Sequence, residues 1–285
     1  MATLTIWAEA PAIRRTRIGS LFRTYALAVY VCCFFCFLYL PIVLLVVLSV
    51  NDSQVMTATF QGFTWRWFKA VAADPGLVGS IFSSMALGLV SSSIATAFAV
   101  LMALGFRHDF PLKPLLMKII LLPILIPGVV AGVVFLMFFG YGGIAPGLWT
   151  TVLAAHVTWV LPFAFLTIFP RINGLDRKLE EAAMDLGATH SMVFRRVTLP
   201  LIRPAIVATV LFGFTLSFDE FIRTFFISGR NRTVPVYLWE LLSDQMAPFL
   251  PAVGVIVTTI SVLASLIGFL VSAWAGRKGT HAQPN

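Results

Sequence analysis

RINGLDRKLEEAAMDLGATHSMVFRRVTLPLIR, residues 171–203, carries Arg171, Asp176, Arg177, Lys178, Glu180, Glu181, Asp185, Arg195, Arg196 and Arg203. That is ten of the chain's thirty-two Asp, Glu, Lys and Arg residues, set between two long apolar runs. Charge at this density has to lie in water, so the runs on either side of it must end at a membrane surface. The fold then follows from counting the runs outward from this segment.

Of 285 residues, 59% are hydrophobic and 11% charged, whereas about a quarter of a soluble domain is charged. Mean hydropathy is +0.93. Six apolar blocks stand out, at 25–50, 77–105, 115–139, 148–169, 201–226 and 250–275. Each reaches the roughly 20 residues that cross a hydrocarbon core of about 30 Å as helix. The runs are continuous and do not alternate with polar residues, which excludes a β-barrel. An all-α, polytopic membrane protein with six transmembrane helices is expected.

Lys and Arg set the orientation. With both termini cytoplasmic, fifteen of the twenty Lys and Arg fall inside and five outside; six acids on each side leave +9 inside and −1 outside. Residues 1–24 and 276–285 are then cytoplasmic, 25–275 form the membrane domain, and 171–203 is a cytoplasmic loop. The pI near 9.9 reflects this topology and not nucleic-acid binding, because no basic patch is interleaved with aromatics. The basic N-terminus followed by apolar sequence has the look of a secretory signal. The run of about 25 residues exceeds a 7–15-residue signal core and no A-x-A site follows, so an uncleaved first span is expected.

Within the spans, Cys32, Cys33 and Cys36 include a C-x-x-C spacing, but their setting in span one makes them small packing residues and not a redox pair. Phe63, Trp65, Trp67 and Phe68 read as an interfacial aromatic belt, with a docking surface as the alternative. Span two is rich in small residues, from Gly79 to Ala99, and is expected to pack closely against other helices. Pro123, Pro127, Gly128 and Gly132 bend span three, either as a packing kink or as one wall of a translocation path. The short stretch GYGGIAPG, 140–147, is expected to join spans three and four as an antiparallel hairpin. His156 reads as a hydrogen-bonded structural residue before a ligand or proton relay. His108, His190 and His281 are scattered, and no metal cluster, nucleophile triad or dinucleotide fingerprint is present. Nor is there a G-x-x-x-x-G-K-[ST] phosphate loop. An enzyme is excluded, and so is ATP hydrolysis by this chain.

In the 171–203 segment, Leu175, Leu179, Ala182, Ala183 and Leu186 recur on one face of an amphipathic helix. Asp176 is placed to cap its start and Gly187 to end it in the left-handed conformation. A second short helix is expected at 191–197, before Leu199-Pro200. Glu181-Ala182-Ala183, Gly187 four residues on, then Val197-x-Leu199-Pro200 resembles the EAA loop of bacterial ABC importer permeases, with every spacing matched and Val197 where Ile is commoner. A solvated connector would not need the Gly and Leu-Pro spacings. The resemblance implies the type I ABC importer fold, with Glu181, Ala182, Ala183, Gly187, Leu199 and Pro200 coupling the permease to an ATPase. It further implies two ATP-binding subunits that hold the ATP and Mg, no cofactor in this chain, a second homologous permease, a periplasmic binding protein, and a bacterial inner membrane.

Residues 211–229, LFGFTLSFDEFIRTFFISG, put two acids inside span five. Asp219 lies about 22 Å along a helix entering near Pro204, still within a core of roughly 30 Å. Arg223, four residues after Asp219 and three after Glu220, cannot neutralise both acids. Lining of a substrate path by Phe218, Asp219 and Glu220, and structural pairing with Arg223, both remain open. LSFDEF with TVPVYLWELL at 233–242 resembles the second permease of spermidine/putrescine-type importers, which implies a polyamine or another small cationic compound. Importers of opines, amino-acid-like compounds, phosphonates or thiamine carry the same signature. A secondary transporter is disfavoured by the lack of an internal repeat, and a scaffold gives no reason for the loop spacing.

Overall fold

A computed structural model of the chain describes residues 17–54, 59–244 and 247–280; residues 1–16 of the expected segment 1–24 and 281–285 of the expected tail 276–285 lie outside them. The described residues form twelve α-helices with no strand, apart from one isolated bridge between Asn51 and Phe63. Five helical stretches are long and apolar enough to cross a membrane singly, and a bent helix pair makes a sixth candidate when taken as one span.

The core is a three-helix contact. Helix α3 (Pro75–Gly105), α6 (Leu153–Asn173) and α9 (Leu199–Phe218) pack mutually, with α12 (Leu250–Thr280) against α9 and α1 (Arg17–Ser49) against α12. As its small residues predict, α3 is the buried helix: Ser80, Ser84, Gly88, Ser91, Ser92, Ala95 and Ala99 all face neighbours, the close packing that joins helices in lipid. Asp74 caps its start, accepting from the amides of Gly76 and Leu77 at 2.9 and 3.1 Å. Near the end of α3, Ala99, Ala103 and Phe106 meet Phe165, Ile168, Ile172 and Ile202 in one apolar cluster. By contrast the apolar window of α1 has no buried residue. Cys32, Cys33 and Cys36 are exposed free thiols on it, so they are not packing residues within this chain.

The third span is broken and not merely bent. Helix α4 (Lys113–Leu125) and α5 (Gly128–Tyr141) diverge by 105°. Ile126, just before Pro127, is pushed to the extended region at φ −83°, ψ 122°, as a pre-proline residue prefers. Pro123 sits inside α4 without ending it. The expected hairpin is therefore corrected: α4 lies along α6, while α5 turns away and packs on α10 (Ile222–Ile227). A Cβ on Gly132 would come within 2.5 Å of the Phe226 ring, so only glycine allows that approach. The ends of the pair lie on opposite faces. Just after α3, Arg107 is paired with Glu180, beyond the end of α6. The α5–α6 connection instead meets the far end of α10, where the Thr151 hydroxyl donates to the Ile227 carbonyl at 2.8 Å. The two helices thus cross together.

Two further expectations are corrected at span five. It is not one helix over 201–226, because α9 ends at Phe218 and α10 begins at Ile222. At the other end, no separate helix spans 191–197. Helix α8 (His190–Val193) runs through a π turn (Phe194–Thr198) straight into α9, making one 29-residue rod, His190–Phe218. The wider turn precedes Pro200, whose missing N–H would interrupt an α-helical ladder there.

On the face opposite the 171–203 loop, α2 (Arg66–Ala73) and α11 (Val234–Asp244) cover the helix ends. The Trp67 indole donates to the Asn51 carbonyl at 2.7 Å, and the Tyr237 hydroxyl reaches the Asp74 carboxylate at 3.0 Å. Phe63 and Trp65 stay exposed beside them and meet edge to face.

Candidate functional site

In the 171–203 loop, helix α7 (Arg177–Asp185) begins at Asp176, whose side chain accepts from the Lys178 amide at 3.0 Å. It ends at Gly187, where φ is +86°, the left-handed value that glycine adopts without strain. No residue of α7 is buried, and Leu186 beside it is 90% exposed. The apolar face of this amphipathic helix is therefore uncovered, with Leu179 and Met184 exposed.

The adjacent glutamates of α7 diverge. Glu181 and Ala182 are exposed. Glu180 turns back: both its oxygens accept from Arg107 Nη1 at 2.8 Å, and Oε1 also accepts from the Thr198 hydroxyl at 2.7 Å. Partial burial works to raise the Glu180 pKa. The hydrogen bonds from Arg107 and Thr198, with the charges of Arg107 and Arg177, outweigh it and hold the carboxyl below the usual glutamate range. Leu199 and Pro200 continue directly from Thr198 as the first turn of α9. A cavity of about 440 Å³ lies between this cluster and the end of α3, lined in part by Arg107, Glu180, Glu181 and Phe194.

The acids of span five divide in the same way. Glu220 is paired with Arg223 at 2.8 Å, both side chains under 10% exposed, and its other oxygen accepts from the Arg223 amide at 3.0 Å. The guanidinium also lies over the Trp159 ring at 3.8 Å, a cation–π contact. Asp219 has no cationic partner among the described residues. It accepts from the Ser261 hydroxyl of α12 at 3.0 Å and opens onto a groove of about 530 Å³ lined by Val257, Ser261, Ser265 and Phe269. Phe218, expected beside it on the path, is 1% exposed and stacks on Phe214 in the core. It packs with Ala264 and is not among the residues that line the groove.

His156 supports the break between α9 and α10. It is fully buried, with Nδ1 2.6 Å from the Ser217 hydroxyl before the break and Nε2 2.7 Å from the Thr224 hydroxyl after it. Thr224 donates to the Glu220 carbonyl at 3.0 Å, so it accepts from Nε2–H and leaves Nδ1 to accept from Ser217. Ser91 of α3 joins through Ser217 at 2.8 Å. The structural reading of His156 holds, and its partners lie outside its own span. Arg107, Thr198 and Ser261 carried no sequence signal as site residues. Arg107 lies 73 positions from the glutamate it binds and reads in sequence only as a charge at a span end.

The described helices thus form a bundle of up to six candidate crossings, with α7 exposed on one face and Asp219 opening onto a groove beside the break in span five. The profile of the family described as binding-protein-dependent transport system inner membrane component matches residues 95–278. The chain is 31% identical over 249 residues to the spermidine/putrescine transport system permease protein PotC of Haemophilus influenzae, covering 87% of this chain and 95% of that one. It is 32% identical over 251 residues to the putrescine transport system permease protein PotI of Escherichia coli, covering 84% and 86%. Among solved structures, a bacterial ABC transporter that imports alginate superposes with a TM-score of 0.65 at 16% identity, over 91% of this chain and 97% of that one. The MetNI methionine ABC transporter superposes with 0.58 at 16% identity, over 70% and 96%; both show the fold. The chain belongs to the binding-protein-dependent transport family and is the multi-pass permease component of an ABC importer.

Proposed function

We propose that this permease imports polyamines or a closely related small cation across the bacterial inner membrane, with its termini and the 171–203 loop in the cytoplasm. The observation that carries the substrate class is Asp219, a carboxylate free of any cationic partner among the described residues, beside an open groove in an apolar span. A bare carboxylate at that depth is costly unless it meets water or a cation. The names of the relatives at about 30% identity support the same class. Two partner subunits bind ATP and Mg, and one seats on the outward face of α7 through Glu181, Ala182 and Ala183. Gly187 sets the turn after it, and Leu199 and Pro200 the return into the membrane. A second, related permease completes the pathway, and a periplasmic binding protein delivers substrate.

Reconstitution with the co-encoded subunits tests this. ATP-driven uptake of spermidine or putrescine is expected, and Asp219→Asn is expected to reduce it. Glu181→Ala is expected to abolish stimulation of the ATPase by the loaded binding protein. Uptake of an opine, a phosphonate or thiamine with none of polyamine would overturn the substrate class. Unchanged stimulation in Glu181→Ala would remove α7 as the docking element.

A further inference from the structure

The helix that receives the ATPase is itself loosely held. Helix α7 buries no residue. It leaves α6 through the turn at Gly174 and returns to α8 through Gly187 at φ +86°. A rigid element on two turns swings when pushed, and a swing does no work on the spans beyond it. Something must fix α7 to the membrane helices.

The fixing group is Glu180. Its carboxylate accepts from Arg107, at the end of α3, and from Thr198, in the π turn that leads into α9. Three separate pieces of chain therefore meet at one side chain. The Arg107 and Glu180 side chains are 8% and 20% exposed, dry enough for the pair to resist screening by salt. Arg177 of α7 adds a second strap by donating to the Arg107 carbonyl. Beyond Thr198 the helical rod continues unbroken to Phe218; from His190 it is roughly 43 Å long at 1.5 Å per residue, and Asp219 follows at its end. Of two neighbouring glutamates, Glu181 is exposed and Glu180 is tied to the permease.

We infer that Glu180, with Arg107 and Thr198, is the mechanical joint that passes movement of the docked helix into the second and fifth spans, so that its loss separates ATP hydrolysis from transport without releasing the ATPase. This rests on the reading that the ATPase seats on α7. The three are positioning residues and touch no substrate.

The test uses the whole reconstituted importer carrying Arg107→Gln, Glu180→Gln, Thr198→Val or the exchanged pair Arg107→Glu with Glu180→Arg. Three quantities are read: ATPase retained on purification, ATP hydrolysis stimulated by the loaded binding protein, and substrate moved per ATP. In the Arg107 and Glu180 single variants the ATPase stays bound and substrate per ATP falls on the order of tenfold, the scale of a coupling free energy between two sites. The exchanged pair recovers a measurable part of the loss. Thr198→Val keeps the side-chain shape and loses a single hydroxyl bond, so it carries the test if a charge variant fails to fold; a reduced ratio with intact assembly is expected there too. Parental substrate per ATP in the folded variants would overturn the inference, as would loss of the ATPase from Arg107→Gln, which would make the pair part of docking. An unaltered chain that binds no ATPase would sink the docking reading itself, a result distinct from either.

Discussion

Glu220 and Asp219 are adjacent, and replacing each by its amide makes the same change of charge with opposite expected results. Glu220→Gln leaves the Arg223 guanidinium buried over the Trp159 ring without its counter-charge. Breaking a buried pair by removing one member costs about 3–5 kcal/mol, because the other charge is left uncompensated. At about 2 °C of melting temperature per kcal/mol for a chain of this size, that is roughly 6–10 °C. Asp219→Asn loses no buried partner, since the Ser261 hydroxyl still has an oxygen to donate to, and its melting temperature should stay near the parent's. Uptake should follow the other order: Asp219→Asn assembles and transports poorly, whereas the folded fraction of Glu220→Gln keeps transporting. Glu220→Gln with Arg223→Leu removes both charges and should recover most of the lost stability. Thermal unfolding of the detergent-solubilised importer, paired with uptake normalised to assembled protein, reads all three. Equal melting shifts for the two amides, or no recovery in the double variant, would refute the assignment of Glu220 to structure and Asp219 to substrate.

Two further outcomes follow from the geometry. His156→Phe removes the group that joins Ser217 to Thr224 across the helix break and leaves both hydroxyls buried without their histidine partner, so melting temperature and uptake should fall together; Asn, which can both donate and accept, should fall less. A parental melting temperature in the Phe variant would show that the break holds without the bridge. For the loop, Glu180 has its pKa depressed by Arg107 and Thr198 against the opposing effect of burial. The joint is therefore fully present above the usual glutamate value of 4.5 and is lost only as pH falls below it through the depressed value. Hydrogen exchange in α7 should accordingly be flat from neutral pH to about 5 after correction for the intrinsic rate, and a rise beginning near pH 6 would contradict the assignment.

Much of the fold is legible in the sequence because membrane spans are written in composition, and the 171–203 loop in spacing. The small residues of α3 likewise announce a buried helix. What escapes is geometry that depends on distant partners. Pro127 announces a bend, but its 105° angle is set by where α5 finds a groove, on α10 beside Phe226. The end of α9 at Phe218 is not legible even though Asp219 and Glu220 follow it, because acids three and four residues before Arg223 suit an unbroken helix equally well; the break is bridged by His156, from another span. At the acidic pair, sequence supplies one arginine for two carboxylates and no means of choosing between them. The choice is made by Trp159, which receives the guanidinium on Glu220's side, and by Ser261, which meets Asp219. Glu181 is legible through its motif, but Glu180 is not, since its partner Arg107 is distant and already accounted for by topology.

The exposed first helix has a consequence for how the molecule is made. Helix α1 leaves the ribosome about 200 residues before α12, the span it packs against. At synthesis rates of about 5–20 residues per second that gap lasts roughly 10–40 s. Through this interval α1 lacks the helix it packs against, while α3, α6 and α9 can already close on one another. A nascent chain halted after α11 would therefore hold the contacts of α3, α6 and α9 but not those of α1 with α12, so the order of insertion runs against the order of assembly.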